Sequence, residues 1–379
     1  MELHCIDCLS DKLVKIEIEN QQIQSIKEAD NSPKGNLYIG PGLIDLQVNG
    51  YKSIDFNTNP ITEKEIEQVA KELVKLGVTS FFPTIITNSR VSILESLQSI
   101  YTTCKNNGFL KKHIGGIHLE GPFLSKVEGA RGAHPLEYII EPDWELFQQF
   151  QAAAGGMIKI ITLAPEWENS IPFIKKCSEN NVIVSIGHTN ASPAQIREAV
   201  KAGASMSTHL GNAAPLMLHR NNNLVWEQLA HDDLTTCIIA DGFHLPESFL
   251  KTVIRTKKGK TILVSDSTNF AGMPPGVYDT HIGDQVVLED SGRLYIKQQP
   301  QFLAGAAFPV SHCINFLIKK QLATLSEAWT MATCNVIKLL SQQNKNIEAT
   351  TKSDLIIFEL TDSTFEVKKV FKSGIEVEV

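Results

Sequence analysis

The central part of the chain alternates between short apolar segments and helical patterns, and this alternation limits its possible folds more than any other feature. Strand–helix alternation at this spacing is typical of parallel βαβ units. Eight such units in one stretch, with some insertions, predict an α/β protein built on a (β/α)8 TIM-like barrel. The eight apolar segments of strand length are 43–48, 78–83, 114–119, 158–163, 182–187, 204–208, 236–240 and 261–265.

Local signals place several of the other elements. Thr62 and the charged residues after it predict a helix that runs to Leu76 and is capped by Gly77. Ser192-Pro193 predicts the start of another helix, which ends at Gly203. After the eighth strand the alternation stops. A hairpin at 285–288 and 294–296 and two helices, 310–320 and 325–340, are predicted there.

The two ends of the chain are rich in alternating strand patterns and show no helical pattern. The predicted strands are 14–18, 23–26 and 37–39 near the start and 355–358, 364–367 and 370–371 near the end, before a last short strand. Because chain termini often lie close together, both ends can form one domain. The sequence therefore predicts a small β-sandwich domain from 1–42 and 346–379, and a barrel domain from 43–345.

Charge and cysteine usage limit the classes of function. The net charge of −7 argues against a nucleic-acid partner, because phosphate binding needs a basic face. We see no signal peptide and no apolar run of membrane-spanning length, so no membrane association is expected. Seven scattered cysteines suit reduced thiols and a cytoplasmic location. Cys5 and Cys8 form a single CxxC pair, for which a metal or redox role is the minor alternative.

Polar side chains follow five of the predicted strands, at the barrel end where active sites lie. These strand ends carry Glu120, His188, His209, Asp241 and Asp266. A single histidine there is more often structural, but two histidines and a carboxylate on one face are a common set of ligands for catalytic zinc or iron. Asp266, on a neighbouring strand end, is then a candidate general base.

A series of motifs in fixed order makes a family resemblance specific. They are His118-Leu119-Glu120-Gly121-Pro122-Phe123, Gly187-His188-Thr189-Asn190-Ala191, Thr208-His209-Leu210-x-Asn212-Ala213, Ala240-Asp241-Gly242-x-His244, Asp266-x-Thr268, Ala271-Gly272-Met273-Pro274 and Leu303-Ala304-Gly305. Together they resemble the N-acetylglucosamine-6-phosphate deacetylase family of the amidohydrolase superfamily. The resemblance covers nearly the whole chain, including the split β-domain.

The resemblance implies a role for each matching position. Glu120, His188 and His209 correspond to the metal ligands, Asp266 to the residue that acts as base and then acid, and His134 to the residue that polarises the amide carbonyl. Arg220 corresponds to a phosphate-binding arginine that crosses a dimer interface, which implies a homodimer. The remaining positions implied to contact the amino-sugar phosphate are Ala133, Asn212, Ala213, Asp241, His244, Leu303, Ala304 and Gly305.

The first strand ends in Gln47-Val48-Asn49, where many amidohydrolases have His-x-His for a second metal. Neutral amides are weak ligands beside imidazole and carboxylate. This variant resembles the single-metal branch of the family and implies one divalent ion per subunit, zinc or iron(II). The missing histidines also disfavour a cyclic amidase of the dihydroorotase or hydantoinase type.

Three local features differ from the family pattern. The loop from Glu120 to His134 is two residues longer, Gly211 and Ala214 flank Asn212-Ala213, and Asn221–Asn223 follow Arg220. The last two lie where the phosphate is expected. They leave open a deacetylase of N-acetylgalactosamine 6-phosphate or of another N-acetylated amino sugar. A sugar-binding barrel without catalysis is the alternative outside enzymes.

Overall fold

A computed structural model describes residues 1–29, 36–280, 285–343 and 354–378, except the side chain of residue 343. Its strands are β1 (Glu2–Asp7), β2 (Leu13–Glu19), β3 (Gln22–Glu28), β4 (Leu37–Pro41), β5 (Leu43–Val48), β6 (Gly50–Tyr51), β7 (Ile54–Asp55), β8 (Val78–Ile86), β9 (Ile117–Glu120), β10 (Ile158–Leu163), β11 (Ile183–Ile186), β12 (Ala204–Ser207), β13 (Thr235–Ile238), β14 (Thr261–Leu263), β15 (Gly276–Asp279), β16 (Gln285–Leu288), β17 (Leu294–Ile296), β18 (Gln299–Leu303), β19 (Leu355–Thr361), β20 (Thr364–Lys372) and β21 (Ile375–Glu376). Its helices are α1 (Glu63–Lys75), α2 (Arg90–Asn106), α3 (Gly108–His113), α4 (Trp144–Ala153), α5 (Ser170–Glu179), α6 (Pro193–Lys201), α7 (Leu224–Ala230), α8 (Glu247–Lys257), α9 (Val310–Lys319), α10 (Leu325–Met331) and α11 (Cys334–Gln343), with a 3₁₀ turn at Leu136–Tyr138.

Eight parallel strands form the predicted barrel, in the order β14-β13-β12-β11-β10-β9-β8-β5. Each matches one of the predicted apolar segments. The first and last strands meet just beyond the end of β14, where the N–H of Asp266 donates to the carbonyl of Gln47 at 3.0 Å and the N–H of Asn49 donates to that of Ser267 at 2.8 Å. The barrel is thus completed by backbone hydrogen bonds of Gln47, Asn49 and Asp266, at the strand ends where the active site is predicted.

Alternating side chains explain how the barrel is buried on both sides. One apolar cluster joins strand residues such as Leu43 and Leu119 to the surrounding helices. A second cluster joins the opposite-facing residues, among them Ile44, Ile160 and Met206, to Val336 of α11. Because both faces are covered by apolar side chains, the polar groups that follow the strands lie where the apolar layers end.

Helix caps confirm most of the predicted boundaries, but one predicted helix is divided. Thr62 and Ser192 each form a capping box at the start of α1 and α6. The helix predicted over 325–340 was wrong as a single element, because α10 ends at Met331 and α11 begins at Cys334. The carbonyl of Ala332 accepts the N–H of Ile44 in β5 at 2.9 Å, so it is used by the barrel and not by a continuing helix.

The two ends of the chain form one separate sheet, as predicted. Its strands follow the order β1-β2-β3-β21-β20-β19-β4 and close on themselves, so a single small barrel replaces the expected sandwich of two sheets. The pairing of β1 with β4 completes the closure. Predicted strands 364–367 and 370–371 are one strand, β20. The limit predicted between residues 345 and 346 lies outside the described residues, and the domain limits stay a prediction.

The segment after β14 forms a sheet of its own. The predicted hairpin is β16 and β17, and the antiparallel order β15-β16-β17-β18 extends it by a strand on each side. Leu288 and Leu294 of this sheet pack with Phe270 and Ala307, which attaches it to the barrel near the end of β14. In the part of the chain that the structure describes, no helix combines the length and apolarity needed to span a membrane.

Candidate active site

The site lies at the carboxyl ends of the barrel strands, where the backbone adopts an unusual conformation. His188, His209 and Asp266 follow β11, β12 and β14, and all three have positive φ angles, of 48°, 26° and 51°. Such angles cost free energy in residues other than glycine and persist where the surrounding structure imposes them, often at functional sites. The turn at each strand end directs these side chains toward one place.

Two histidines approach one oxygen of Glu120. Nε2 of His188 lies 3.3 Å and Nε2 of His209 lies 3.2 Å from Oε1 of the Glu120 carboxylate, and all three residues are buried. Nδ1 of His188 is 3.1 Å from the carbonyl oxygen of Ala130. A carbonyl only accepts, so Nδ1 carries the proton. Nε2 then either directs a lone pair at the carboxylate oxygen, in the neutral ring, or donates a hydrogen bond to it, in the protonated ring.

This donor set fits a divalent cation. Two acceptors that face each other at 3.3 Å repel unless a proton or a cation lies between them, and imidazole with carboxylate suits zinc or iron. In the described part of the chain, the ligand atoms of Glu120, His134 and His188 all lie within 4.8 Å of one another. His209 is outside that group, although its Nε2 approaches the same carboxylate oxygen. The third ligand therefore stays a prediction.

Contacts within this group shift the pKa values of Glu120 and His209. Burial alone would raise the pKa of Glu120, but its hydrogen bonds to His188 and His209 outweigh burial and hold the pKa well below the usual range. Burial would lower the pKa of His209, and the hydrogen bond and charge of Glu120 raise it instead. Glu120 is thus held ionised, as a metal ligand must be.

His134 reaches the site from a loop rather than from a strand end. Its ring packs edge-on against that of His188 with a centroid distance of 4.3 Å. Burial and the nearby charge of His188 lower the pKa of His134 to about 3, so the ring is neutral. Its Nδ1 is buried and has no hydrogen-bond partner among the described residues. A neutral imidazole with an unpaired nitrogen can bind a polar group of a substrate.

Arg131 helps to hold this loop in place. Its Nη1 donates to the carbonyl of His134 at 2.7 Å. Its own carbonyl oxygen lies 3.2 Å from Nδ1 of His188. Loop 129–134, part of the longer segment noted in the sequence, is therefore bound to a candidate metal ligand.

Asp266 is fixed through one of its two oxygens. Oδ1 accepts hydrogen bonds from Nε2 of Gln47 at 2.9 Å and from Nδ2 of Asn49 at 2.8 Å. Oδ2 receives no hydrogen bond from a described residue and is free for a reactant. Burial, followed by the charge of Glu120, raises the pKa of Asp266. A buried carboxylate with a raised pKa and one free oxygen is suited to general base catalysis.

Gln47 also connects Asp266 to the candidate ligand Glu120. Its Nε2 lies 3.0 Å from Oε1 of Glu120, so one amide group donates to both carboxylates. His118, the first residue of the motif around Glu120, does not belong to this hydrogen-bonded group. Both ring nitrogens of His118 are engaged elsewhere, by the carbonyl of Leu46 and by Oγ1 of Thr162.

A cavity of about 640 Å³ opens over these groups. Asp241 does not line it. Its Oδ2 lies 2.7 Å from Nδ1 of His244, and its Oδ1 accepts two backbone N–H groups, so Asp241 orients His244 from behind. Arg220 is exposed and is also outside the cavity wall. The predicted site residues that do line it are Glu120, Ala133, His134, His188, His209, Asn212, Ala213, His244, Asp266, Leu303, Ala304 and Gly305.

Comparison with known proteins identifies the family of this chain. The Amidohydrolase family model matches residues 38–377. An N-acetylglucosamine-6-phosphate deacetylase from Lysinibacillus sphaericus is 32% identical over 326 residues, which cover 85% of this chain and 80% of the relative. This chain belongs to the N-acetylglucosamine-6-phosphate deacetylase family of amidohydrolases.

Solved structures of the same family have the same fold. The crystal structure of the deacetylase from Pasteurella multocida has a TM-score of 0.84 and 26% identity, and the match covers 99% of this chain and 98% of that one. A second match is a variant of the Mycobacterium smegmatis deacetylase in complex with N-acetyl-D-glucosamine 6-phosphate, with a TM-score of 0.84. The match covers 100% of this chain and 99% of that one. Because the identity is 21%, this likeness shows the fold alone.

The sequence alone does not predict two features of this family member. It indicates only that Gln47 and Asn49 are weak metal ligands, whereas in the structure their amides donate hydrogen bonds to Asp266. The insertion sheet, with Arg293, Gln301 and Phe302, also lines the cavity. The hairpin pattern predicted strands there, but nothing in the local sequence indicates which way the hairpin folds over the barrel.

Proposed function

We propose that this protein hydrolyses the acetamide of N-acetyl-D-glucosamine 6-phosphate to glucosamine 6-phosphate and acetate, in amino-sugar catabolism. The observation that carries the proposal is the meeting of Glu120, His188 and His209 with Asp266 and His134 on one cavity wall. Family membership supplies the substrate. The chemistry is acyl transfer to water, which needs a Lewis acid, a base and a donor for the carbonyl oxygen.

We place one divalent ion per subunit, zinc or iron(II), at Glu120, His188 and His209. The approach of both imidazole nitrogens to Oε1 of Glu120 supports this set. Gln47 and Asn49 support a single ion, because their amides donate to carboxylates and leave no imidazole for a second one. When bound, the ion supplies the Lewis acidity that makes water and the amide carbonyl reactive at neutral pH.

Asp266 is the proposed base and acid. Its free Oδ2 takes a proton from the attacking water while Gln47 and Asn49 hold Oδ1. The water oxygen adds to the acetamide carbon and the carbon–nitrogen bond then breaks. Asp266 returns the proton to the departing amine, so the same carboxyl group serves both steps.

His134 is the proposed donor to the carbonyl oxygen. Its ring is buried, neutral and unpaired at Nδ1, and Arg131 holds the loop that carries it. Leu303, Ala304 and Gly305 are proposed to enclose the acetyl methyl group. The sugar is proposed to contact Ala133, Asn212, Ala213 and His244, with Asp241 keeping the ring of His244 in position.

Arg220 is proposed to bind the phosphate of the neighbouring subunit's substrate in a homodimer. The residue is exposed and does not line the cavity of its own chain. The same segment exposes large apolar side chains, with 71% of Leu216, 88% of Met217 and 52% of Trp226 accessible to solvent. Apolar surface next to an active site is typical of a protein interface.

A cytoplasmic location is also part of the proposal. All seven cysteines are free thiols, which suits a reducing compartment. Burial raises the pKa of Cys5 to about 11, so a redox or metal role for the Cys5–Cys8 pair is not proposed.

The test is a screen for acetate release. Purified protein is offered N-acetylglucosamine 6-phosphate, N-acetylgalactosamine 6-phosphate and the two sugars without phosphate. We expect the first to have the highest kcat/KM. Preference for the galactose epimer would favour the alternative substrate. We include this epimer because Gly211, Ala214 and Asn221–Asn223 differ from the family pattern. Release of acetate from none of the four would contradict the proposal.

A further inference from the structure

One described side chain on the cavity wall carries a permanent positive charge. Among the described residues that line the cavity, Arg293 is the only lysine or arginine. Three carboxylates, those of Asp55, Glu120 and Asp266, line the same space. A phosphate group that enters such a cavity is repelled by the carboxylates, so its binding needs cations close by.

The structure holds the guanidinium of Arg293 in place without using most of its donors. Its central carbon lies 4.5 Å from the centroid of the Tyr295 ring. Nη2 donates to the carbonyl of Pro300. Nη1 forms an exposed ion pair with Oε1 of Glu289 at 3.7 Å, which is longer than a hydrogen bond. An arginine has five N–H donors, so four have no acceptor among the described residues. A stacked guanidinium with free donors loses little entropy when it binds an anion.

The position of Arg293 in the fold suits a contact with substrate. It directly precedes β17 of the insertion sheet and donates to Pro300 of β18. Gln301 and Phe302 of the same strand also line the cavity. Its side chain is 33% exposed, so a ligand in the cavity can reach it. Arg220, the cation expected from the family pattern, does not line the cavity of its own chain.

We infer that Arg293 is a specificity-determining residue that binds the anionic group of the substrate from within the same chain. The inference rests on the proposed function, because the phosphorylated amino sugar supplies the anion. Arg293 then complements Arg220 of a neighbouring subunit. A phosphate bound between the two would be held by bidentate hydrogen bonds of the kind that guanidinium groups favour.

A structural role makes a different prediction. If Arg293 only joins the residues before β17 to β18 through the Pro300 carbonyl, its loss would lower stability and affect every substrate alike. Substitution Arg293→Met keeps much of the aliphatic length and removes the charge, and Arg293→Lys keeps the charge without the planar group. Lys297→Met is the matched control, since Lys297 belongs to the same hairpin, binds Gln285 and does not line the cavity.

The experiment measures kcat and KM for N-acetylglucosamine with and without the 6-phosphate. We expect Arg293→Met to raise KM for the phosphorylated sugar roughly 10- to 100-fold, the usual range for a lost charged hydrogen bond. KM for the free sugar should stay within about twofold, Arg293→Lys should recover part of the loss, and Lys297→Met should match the wild type. Calorimetry should show weaker binding of inorganic phosphate to Arg293→Met.

Two results would overturn the inference. One is an equal loss on both sugars together with a lower melting temperature, which assigns Arg293 a structural role. The other is unchanged KM and unchanged binding of inorganic phosphate. Failure of the proposed function looks different, because the wild type would then release no acetate from either sugar. The phosphate calorimetry still decides the role of Arg293 in that case.

Discussion

Asn49 donates a hydrogen bond of 2.8 Å from Nδ2 to Oδ1 of Asp266. Gln47 donates to the same oxygen at 2.9 Å and also to Glu120. The two amides lie at the carboxyl end of β5. In this chain they orient the proposed base and a candidate metal ligand, but they differ in the carboxylates that they contact. Gln47 contacts both carboxylates, and Asn49 contacts only Asp266.

This difference gives the first prediction. Gln47→Leu removes the donor to Glu120, and loss of such a supporting hydrogen bond typically costs about 10- to 100-fold in metal affinity or activity. We expect weaker metal binding in a chelator competition assay, together with a lower kcat. Asn49→Ala is the control, and it should lower kcat while metal affinity stays at the wild-type value. Wild-type metal affinity in both variants would mean that Gln47 does not support the ligand.

The second prediction separates the base from the metal ligands. Asp266→Asn keeps the size of the side chain but cannot accept a proton, so kcat should fall by ~10²–10⁴ or more. Metal content, measured by elemental analysis, should not change. A variant that loses its metal would show that Asp266 is mainly a ligand, and near-normal turnover would place the base elsewhere.

The pH profile of the wild type bears on the same residue. Burial and the charge of Glu120 raise the pKa of Asp266, and the carboxyl group must be ionised to act as a base. Activity should therefore fall as the pH falls through that raised pKa, at a higher pH than the value of about 4 for an ordinary aspartate. The acid limb of kcat/KM reports the coupled site as a whole.

The third prediction decides the third metal ligand. His209 approaches Oε1 of Glu120, and His134 belongs to the group of ligand atoms within 4.8 Å. If His209 is the ligand, His209→Ala should lose most of its metal, and His134→Ala should keep one equivalent per subunit while kcat falls. The reverse pattern of metal content would exchange the two roles, and two tightly bound equivalents in the wild type would contradict a single-ion site.

The fourth prediction concerns the neighbouring subunit. Arg220→Ala should raise KM for the phosphorylated substrate by orders of magnitude, because a guanidinium bound to phosphate is lost. Light scattering should find the wild type as a dimer. Arg255→Ala, at an exposed position of α8, is the control and should leave KM unchanged. A fully active monomer would be incompatible with a phosphate site shared between subunits.

The fold was largely predictable because it depends on the spacing of apolar residues along the chain and on the positions of the polar residues that follow them. Eight apolar segments and the polar residues after them identified the barrel and the strand ends that hold Glu120, His188, His209 and Asp266. What stayed hidden depends on contacts between distant segments. The helix ends at Met331, and the carbonyl of Ala332 beyond it accepts a hydrogen bond from the distant Ile44. Closure of the terminal sheet depends on β1 pairing with β4, and the place of Arg293 depends on how the insertion sheet packs on the barrel.

The most direct measurement of the central claim is acetate release from N-acetylglucosamine 6-phosphate as a function of metal loading. Protein purified without chelator should release acetate and glucosamine 6-phosphate in equal amounts. Removal of the metal should abolish the activity, and one equivalent of zinc or iron(II) per subunit should restore it. Full activity in the metal-free protein, or no acetate release at any metal loading, would contradict the account.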